Sequence, residues 1–314
     1  MNEPKKNILI LVNKKFEYEG FEAGFCEVLN KIKDASGGDF SHFNVSVCCI
    51  EKKLFEKDPN NSSNSQEKHK RLVDHLKGQN APDYIFSVST SESTYEGQGD
   101  KPTNDGDCTA SANGCVYVGG RYFMADCRAI NRNGEPSHLK VGTTGNENTQ
   151  YYPLQDGVAE LLVKLNDSKL VAEISTSLQT VPSYPAKPLR YLSDPKMCCV
   201  GVVNVTNYDQ YPIADGCAYG LFYKEAAKGN ADGTPICIET THGVVRMAAG
   251  DAYGKNTPPV IFVSPITDRF VRFDKDVTST KDKEKFDNQN YACSYNSGIA
   301  VAHMMKFLDN KLEV

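Results

Sequence analysis

No stretch of about 18 consecutive apolar residues occurs, so no membrane-spanning helix is expected. The N-terminal segment MNEPKKNILILVNKK starts basic, but its apolar run covers only residues 8–12. That is too short for a signal-peptide core and reads instead as a first buried strand. Positive charge is not in excess either. Lys and Arg total 35 against 40 Asp and Glu, a formal net charge of −5. A basic footprint is therefore missing, which sets aside nucleic acid and anionic membrane as main partners. No CxxC pair with a matching His or Cys pair is present, so no structural zinc site is expected. The eleven cysteines are an odd number, and Cys48, Cys49, Cys198, Cys199 and Cys237 fall inside apolar runs. Free, buried thiols in a reducing cytoplasm account for them.

What is present is an ordinary globular composition, 39% hydrophobic and 24% charged over 314 residues. That is room for a sizeable core. Strand-like runs recur at residues 8–12, 43–50, 84–88, 115–118, 198–205, 235–238 and 260–263. Several are solidly apolar rather than alternating, as strands buried on both faces are. Helical patterns lie at 21–33, 69–76, 154–166, 216–228, 240–249 and 297–312. This alternation predicts an α/β fold with a mixed central sheet flanked by helices. Residues 58–66 read as a polar loop, 90–113 as a long Ser/Thr/Gly/Asp loop, and 170–189, with Pro182, Pro185 and Pro188, as a crossover. No internal repeat or linker divides the chain, so 1–314 reads as a single domain.

In an open α/β sheet ligands bind beyond the carboxyl ends of the strands. The segments 13–19, 87–99, 206–212 and 264–270 occupy such positions. The last belongs to PVIFVSPITD, residues 259–268, where an apolar run passes into a polar turn ending in Asp268.

Several pieces, in order, resemble the nucleoside phosphorylase and nucleosidase superfamily, especially the methylthioadenosine/S-adenosylhomocysteine nucleosidases. They are ILILV followed by a turn with Glu17; GCVYVGGRYFMAD at 114–126; GVVNVTNYDQY at 201–211, where the family has an apolar strand and S-G-D-x-F; CIETTHGVVRMA at 237–248, where it has E-M-E-[AG]; and SPITD at 264–268, similar to R-x-[IV]-S-D. A terminal helix with Asn296-Ser297-Gly298 resembles the family's N-[SA]-A helix.

The resemblance implies a nucleoside phosphorylase-like fold, cleavage of the N-glycosidic bond of a purine nucleoside or thionucleoside, no metal or organic cofactor, and a homo-oligomer. It implies roles as well. Asp268 matches the acid that protonates N7 of the leaving purine, and Glu239 the carboxylate that binds ribose hydroxyls. Ile238 stands where a methionine packs beneath the sugar, and Tyr211 matches the aromatic that stacks on the base. Ser89 is a further candidate substrate contact. Glu17 is the nearest match to the glutamate that activates water, with Glu19 the alternative if the turn is one residue longer.

That chemistry needs these residue types. A purine anion leaves poorly, and a positioned acid contributes typically ~10²–10⁴-fold. An aspartate serves as that acid only if burial raises its pKa. A second carboxylate stabilises the oxocarbenium-like ribose, and a third group must act on water.

The departures bear on the choice of nucleophile. Ser264 replaces the arginine before S-D, Cys237 the first glutamate of E-M-E, and Tyr208 the glycine of S-G-D. The glycine-rich phosphate loop is absent, which favours water, although Lys14 and Lys15 leave phosphorolysis open. Two further readings stand beside hydrolysis: a silent nucleoside-binding protein, and a cysteine hydrolase pairing Cys293 or Cys217 with His242. Singly, Asp268 reads as a turn residue or N-cap, Glu239 as a helix-dipole partner, Tyr211 as a core or rim aromatic, Glu17 as a solvated carboxylate, and His242 as a satisfied core histidine.

Overall fold

The computed structural model describes residues 4–36, 40, 42–93, 113–126, 149–182, 191–193, 198–203, 237–269 and 280–311. Among them the strands are β1 (Lys6–Val12), β2 (Phe43–Cys49), β3 (Tyr84–Val88), β4 (Ser91–Ser93), β5 (Val116–Gly119), β6 (Arg121–Asp126), β7 (Thr149–Tyr152), β8 (Tyr191–Ser193), β9 (Cys198–Val203), β10 (Cys237–Glu239) and β11 (Val260–Arg269). The helices are α1 (Lys15–Ser36), α2 (Ile50–Leu54), α3 (Ser65–Lys77), α4 (Val158–Leu165), α5 (Ser168–Ser177), α6 (His242–Tyr253) and α7 (Thr280–Lys311).

The strands form one mixed sheet in the order β2-β1-β3-β11-β4-β10-β9-β6-β7, with β5 branching from β11 and β8 from β5. Pairing is parallel through β2, β1, β3 and β11. It is parallel again between β11 and β4, β10 and β9, and β9 and β6. β4 and β10, β6 and β7, and β11 and β5 are antiparallel pairs. Ile8 to Val12 are consecutively buried, so both faces of β1 are covered, as its unbroken apolar run predicts. The α/β expectation holds.

α1 and α7 approach so closely that small residues are required at the contact. A Cβ on Gly20, Gly24 or Gly298 would run into the backbone oxygen of Tyr291, Tyr295 or Phe21 respectively. α3 is fixed at its start by Asn64, whose Oδ1 accepts the N–H groups of Gln66 (3.1 Å) and Glu67 (3.2 Å). Arg71 then clamps Asp58 through both terminal guanidinium nitrogens, at 2.7 and 2.6 Å.

Several expected boundaries move. β11 does not end in a turn at Ser264: it continues to Arg269, with an irregularity between Ile266 and Asp268. Pro265 is tolerated because Val263 pairs with Val88, the last residue of β3, while Ile266 pairs with Ser91, the first of β4. The donor that proline lacks therefore falls at a break in the neighbouring ladder. Residues 15–19 are the first turn of α1 rather than a loop. Residues 58–66 hold a 3-10 turn (Pro59–Ser63) and the start of α3. The crossover expected from residue 170 begins as helix α5. The helix expected at 216–228, most of the loop at 90–113 and the turn at 206–212 lie outside the described residues.

Candidate active site

β1 ends at Val12, and the next residue, Asn13, is buried. Its N–H donates to Val88 O (3.1 Å), and its carbonyl accepts from Glu51 N (3.1 Å). Its side chain donates from Nδ2 to Ser89 Oγ at 3.4 Å. The carboxyl ends of β1 and β3 thus meet at Asn13 and Ser89.

Glu17, in the first turn of α1, is only 1% exposed. Its Oε2 accepts Lys14 N–H (2.8 Å). Its Oε1 accepts the N–H of Thr90 (3.0 Å) and the Thr90 hydroxyl. Burial pushes the carboxyl above its ordinary range, against those hydrogen bonds and the Lys14 charge.

Glu239, the last residue of β10, is 4% exposed. It turns back onto the start of α6, where Oε1 and Oε2 accept His242 N–H at 2.8 and 2.9 Å and Oε2 also accepts Thr241 N–H. Burial lifts this carboxyl to about 7, opposed by the two N–H donors and by Lys68; the charge of Glu17 adds to the rise. Each carboxyl therefore feels the other. With about two acceptor positions per oxygen, donors among the described residues leave one position open on Oε2 of Glu17 and one on Oε1 of Glu239.

Lys68 is the group that sequence reasoning missed. It lies on α3, 1% exposed. Its ammonium donates to Asn13 Oδ1 and Thr241 Oγ1, each at 2.9 Å. Burial, with the like charge of Lys14, brings it down to about 8, while Glu239, Glu17 and Glu51 pull the other way. A signal was available: Lys68 stands four and eight residues before Leu72 and Leu76, on the apolar stripe of its helix, where a lysine needs a buried partner.

An outer layer surrounds this centre. Lys14 pairs with Glu51 (3.3 Å) and donates to Ser62 Oγ. Glu51 also accepts Lys15 N–H (2.9 Å) and the Ser62 hydroxyl (2.8 Å). Burial works to raise Glu51, but these bonds outweigh it and hold the carboxyl below its ordinary range.

His242 is fully buried. Its Nδ1 meets Ser87 Oγ at 2.8 Å, its Nε2 meets Ser264 Oγ at 3.0 Å, and its ring stacks on Phe262 at 4.9 Å. Burial, aided by Lys68, drives it down to about 3. It is a neutral, satisfied histidine that donates to one serine and accepts from the other. Both nitrogens face hydroxyls rather than a thiol, which removes the support for a cysteine hydrolase; Cys217 lies outside the described residues.

The remaining candidates fall out as follows. Ser89 is buried beside Asn13 and Thr90. Glu19 is 55% exposed and faces Lys15, so Glu17 is the inward carboxyl. Asp268 pairs with Glu92 of β4, and Ile238 of β10 pairs with the same residue. Positions 268, 92 and 238 thus form one row across three strands, about 10 Å from end to end by strand spacing. Tyr211 lies outside the described residues. No group of three or more His, Cys, Asp or Glu able to hold a metal ion occurs among the described residues, and no helix among them is long and apolar enough to cross a membrane.

No family model matches the sequence, and no curated protein is significantly similar to it in sequence. Solved structures are similar in fold. A methylthioadenosine/S-adenosylhomocysteine nucleosidase superimposes with a TM-score of 0.50 at 11% identity, covering 98% of this chain and 97% of that one. The 5′-methylthioadenosine nucleosidase of Arabidopsis thaliana has a TM-score of 0.48 at 12% identity, with 97% of each chain covered. A uridine phosphorylase of Phytophthora capsici has 0.43 at 11% identity, covering 93% of this chain and 89% of that one. The chain has the nucleoside phosphorylase/nucleosidase fold.

Proposed function

We propose that this protein is an enzyme that hydrolyses the N-glycosidic bond of a purine nucleoside or thionucleoside. The observation that carries the reading is the pair Glu17 and Glu239. They come from distant parts of the sequence, are buried together at strand ends, and each has its carboxyl raised by burial. Perturbed carboxyls gathered at such a place are the signature of a working site.

In this reading Asp268 delivers a proton to N7 of the base, and the C–N bond breaks with its electron pair leaving on the purine. The ribose becomes oxocarbenium-like, and the open acceptor position of Glu239 takes a ribose hydroxyl, which spreads negative charge toward C1′. A water held at the open Oε2 position of Glu17 adds to C1′, and Glu17 receives its proton. Ile238 and Tyr211 would flank sugar and base, with Ser89 beside the nucleophile. The charge of Lys14 is already met by Glu51, and Lys15 is 65% exposed. That supports water over phosphate as nucleophile. The thiols of Cys26, Cys48, Cys49, Cys115 and Cys293 are free, in keeping with a reducing compartment and hence the cytoplasm.

The test is release of free base from a panel of purine nucleosides and thionucleosides, with and without phosphate. Release without phosphate is expected. Release only with phosphate would convert the reaction to phosphorolysis, and a nucleoside bound and recovered intact would reduce the protein to a binding role. Asp268→Asn should lose ~10²–10⁴-fold in rate; undiminished activity would remove Asp268 from the mechanism.

A further inference from the structure

Lys68 is a lysine on the apolar stripe of a helix, almost wholly buried, with no part in the reaction just described. Its two hydrogen bonds reach the turn after β1, through Asn13 Oδ1, and the residue before α6, through Thr241 Oγ1. Asn13 leads directly into the turn that carries Glu17, and the N–H of Thr241 is itself a donor to Glu239. We propose that Lys68 is a positioning residue of this site: its ammonium ties together the two turns bearing Glu17 and Glu239 and supplies positive charge to both carboxylates.

The charged groups around it come from every neighbouring element. Lys14 and Glu17 face it from the start of α1, Glu51 from α2, Glu239 from β10, and the neutral His242 from α6. Lys14 is held by Glu51, and among the described residues Lys68 is a cation whose attraction opposes the protonation of Glu239. Asn13 and Thr241 offer oxygen acceptors at fixed places, which hold the ammonium where an unpaired lysine would otherwise turn to solvent. The inference rests on the hydrolase reading only for its kinetic consequence; the electrostatic part stands on the unliganded protein.

The variants are Lys68→Gln, which keeps a donor without charge, Lys68→Met, which removes both, and Lys68→Arg, which keeps the charge. Carbon-13 NMR of labelled glutamate carboxyls in the full chain, with Glu239 assigned by its loss in Glu239→Gln, follows its titration without substrate. Removing a cation within reach of a carboxylate moves it by ~1–3 pH units. The Glu239 midpoint should therefore rise by about one unit or more in the Gln and Met variants and stay near wild type in Arg. With a purine nucleoside, the acid limb of the kcat/KM profile should move by the same amount. The loss is then about tenfold per unit below the limb, and activity returns at higher pH. A Glu239 midpoint unchanged in whichever uncharged variant folds would overturn the proposal, as would a loss of activity equal at every pH. If wild type releases no base from any nucleoside but the midpoint still moves, the hydrolase reading fails and the positioning role of Lys68 stands.

Discussion

Glu239→Gln separates a working carboxylate from a helix cap. Burial lifts the Glu239 carboxyl from an ordinary 4.5 to about 7. Between those values the folded chain holds a proton that the unfolded chain has released, so wild-type stability falls as pH rises through the window and remains lower above it. At about 1.4 kcal/mol per pH unit the span is worth about 3 kcal/mol. Glutamine keeps the shape, and its carbonyl oxygen takes the Oε2 place that accepts from Thr241 and His242. It mimics the protonated acid and does not titrate. Variant and wild type should therefore unfold alike near pH 5, and at pH 8 the variant should be more stable by up to about 3 kcal/mol. Lys68 loses a negative partner in the exchange, which makes that figure an upper one. Thermal melts at the two pH values read it as a gain of roughly 4–5 °C at pH 8 only, given about 2.1 cal/mol/K of unfolding entropy per residue. The same substitution should lower kcat/KM by about 10–100-fold, the worth of a hydrogen bond to a charged group. Stability gained and activity lost together mark a site kept for function. Equal destabilisation at both pH values would mean that Glu239 only caps α6, and the reasoning would fail.

Further outcomes follow from the same geometry. Glu17→Gln should lower the hydrolytic rate by ~10²–10⁴-fold through loss of the base, with nucleoside binding, measured by calorimetry, little altered. His242 sits at about 3 against an ordinary 6.5, so the folded state binds fewer protons in between. Its contribution to stability is present above 6.5 and lost as pH falls toward 3. His242→Gln should accordingly flatten the acid limb of urea-unfolding stability, although its lost bonds to Ser87 and Ser264 lower the plateau. Gly298→Ala forces a methyl against the Phe21 carbonyl oxygen; overpacking of this kind costs ~1–3 kcal/mol, and the loss should appear equally at every pH in thermal melts.

The sequence was most readable where burial is uniform. Residues 8–12 and 260–263 needed no partner information, because strands covered on both faces read as near-continuous apolar runs. Residues 264–269 misled because Pro265 reads as a strand stop. Only the register reveals that the ladder beside it is already interrupted between Val88 and Ser91. The short strands β4, β7 and β8 carry too few residues for any period to stand out. At the site, Glu17 was placed by resemblance against its ordinary reading as a surface carboxylate, and it is buried. Its burial depends on Thr90, which is far away in sequence, so no local pattern announces it.

The cluster as a whole is electrostatically expensive for the fold. Glu17, Glu239 and Lys68 are buried, and Glu51 and Lys14 close the group from its edge. Apolar residues in place of such a charged group are commonly neutral or stabilising, and the chain has the means to use them. Its neighbours Val12, Val88, Val244 and Val245 are apolar and buried. Stability is supplied elsewhere, by the apolar strands and the close α1–α7 contact. Glu239 at about 7 and Lys68 at about 8 leave the centre able to exchange a proton near neutral pH. Charge kept buried at this cost fits the roles proposed for Glu239 toward the sugar and for Glu17 toward water.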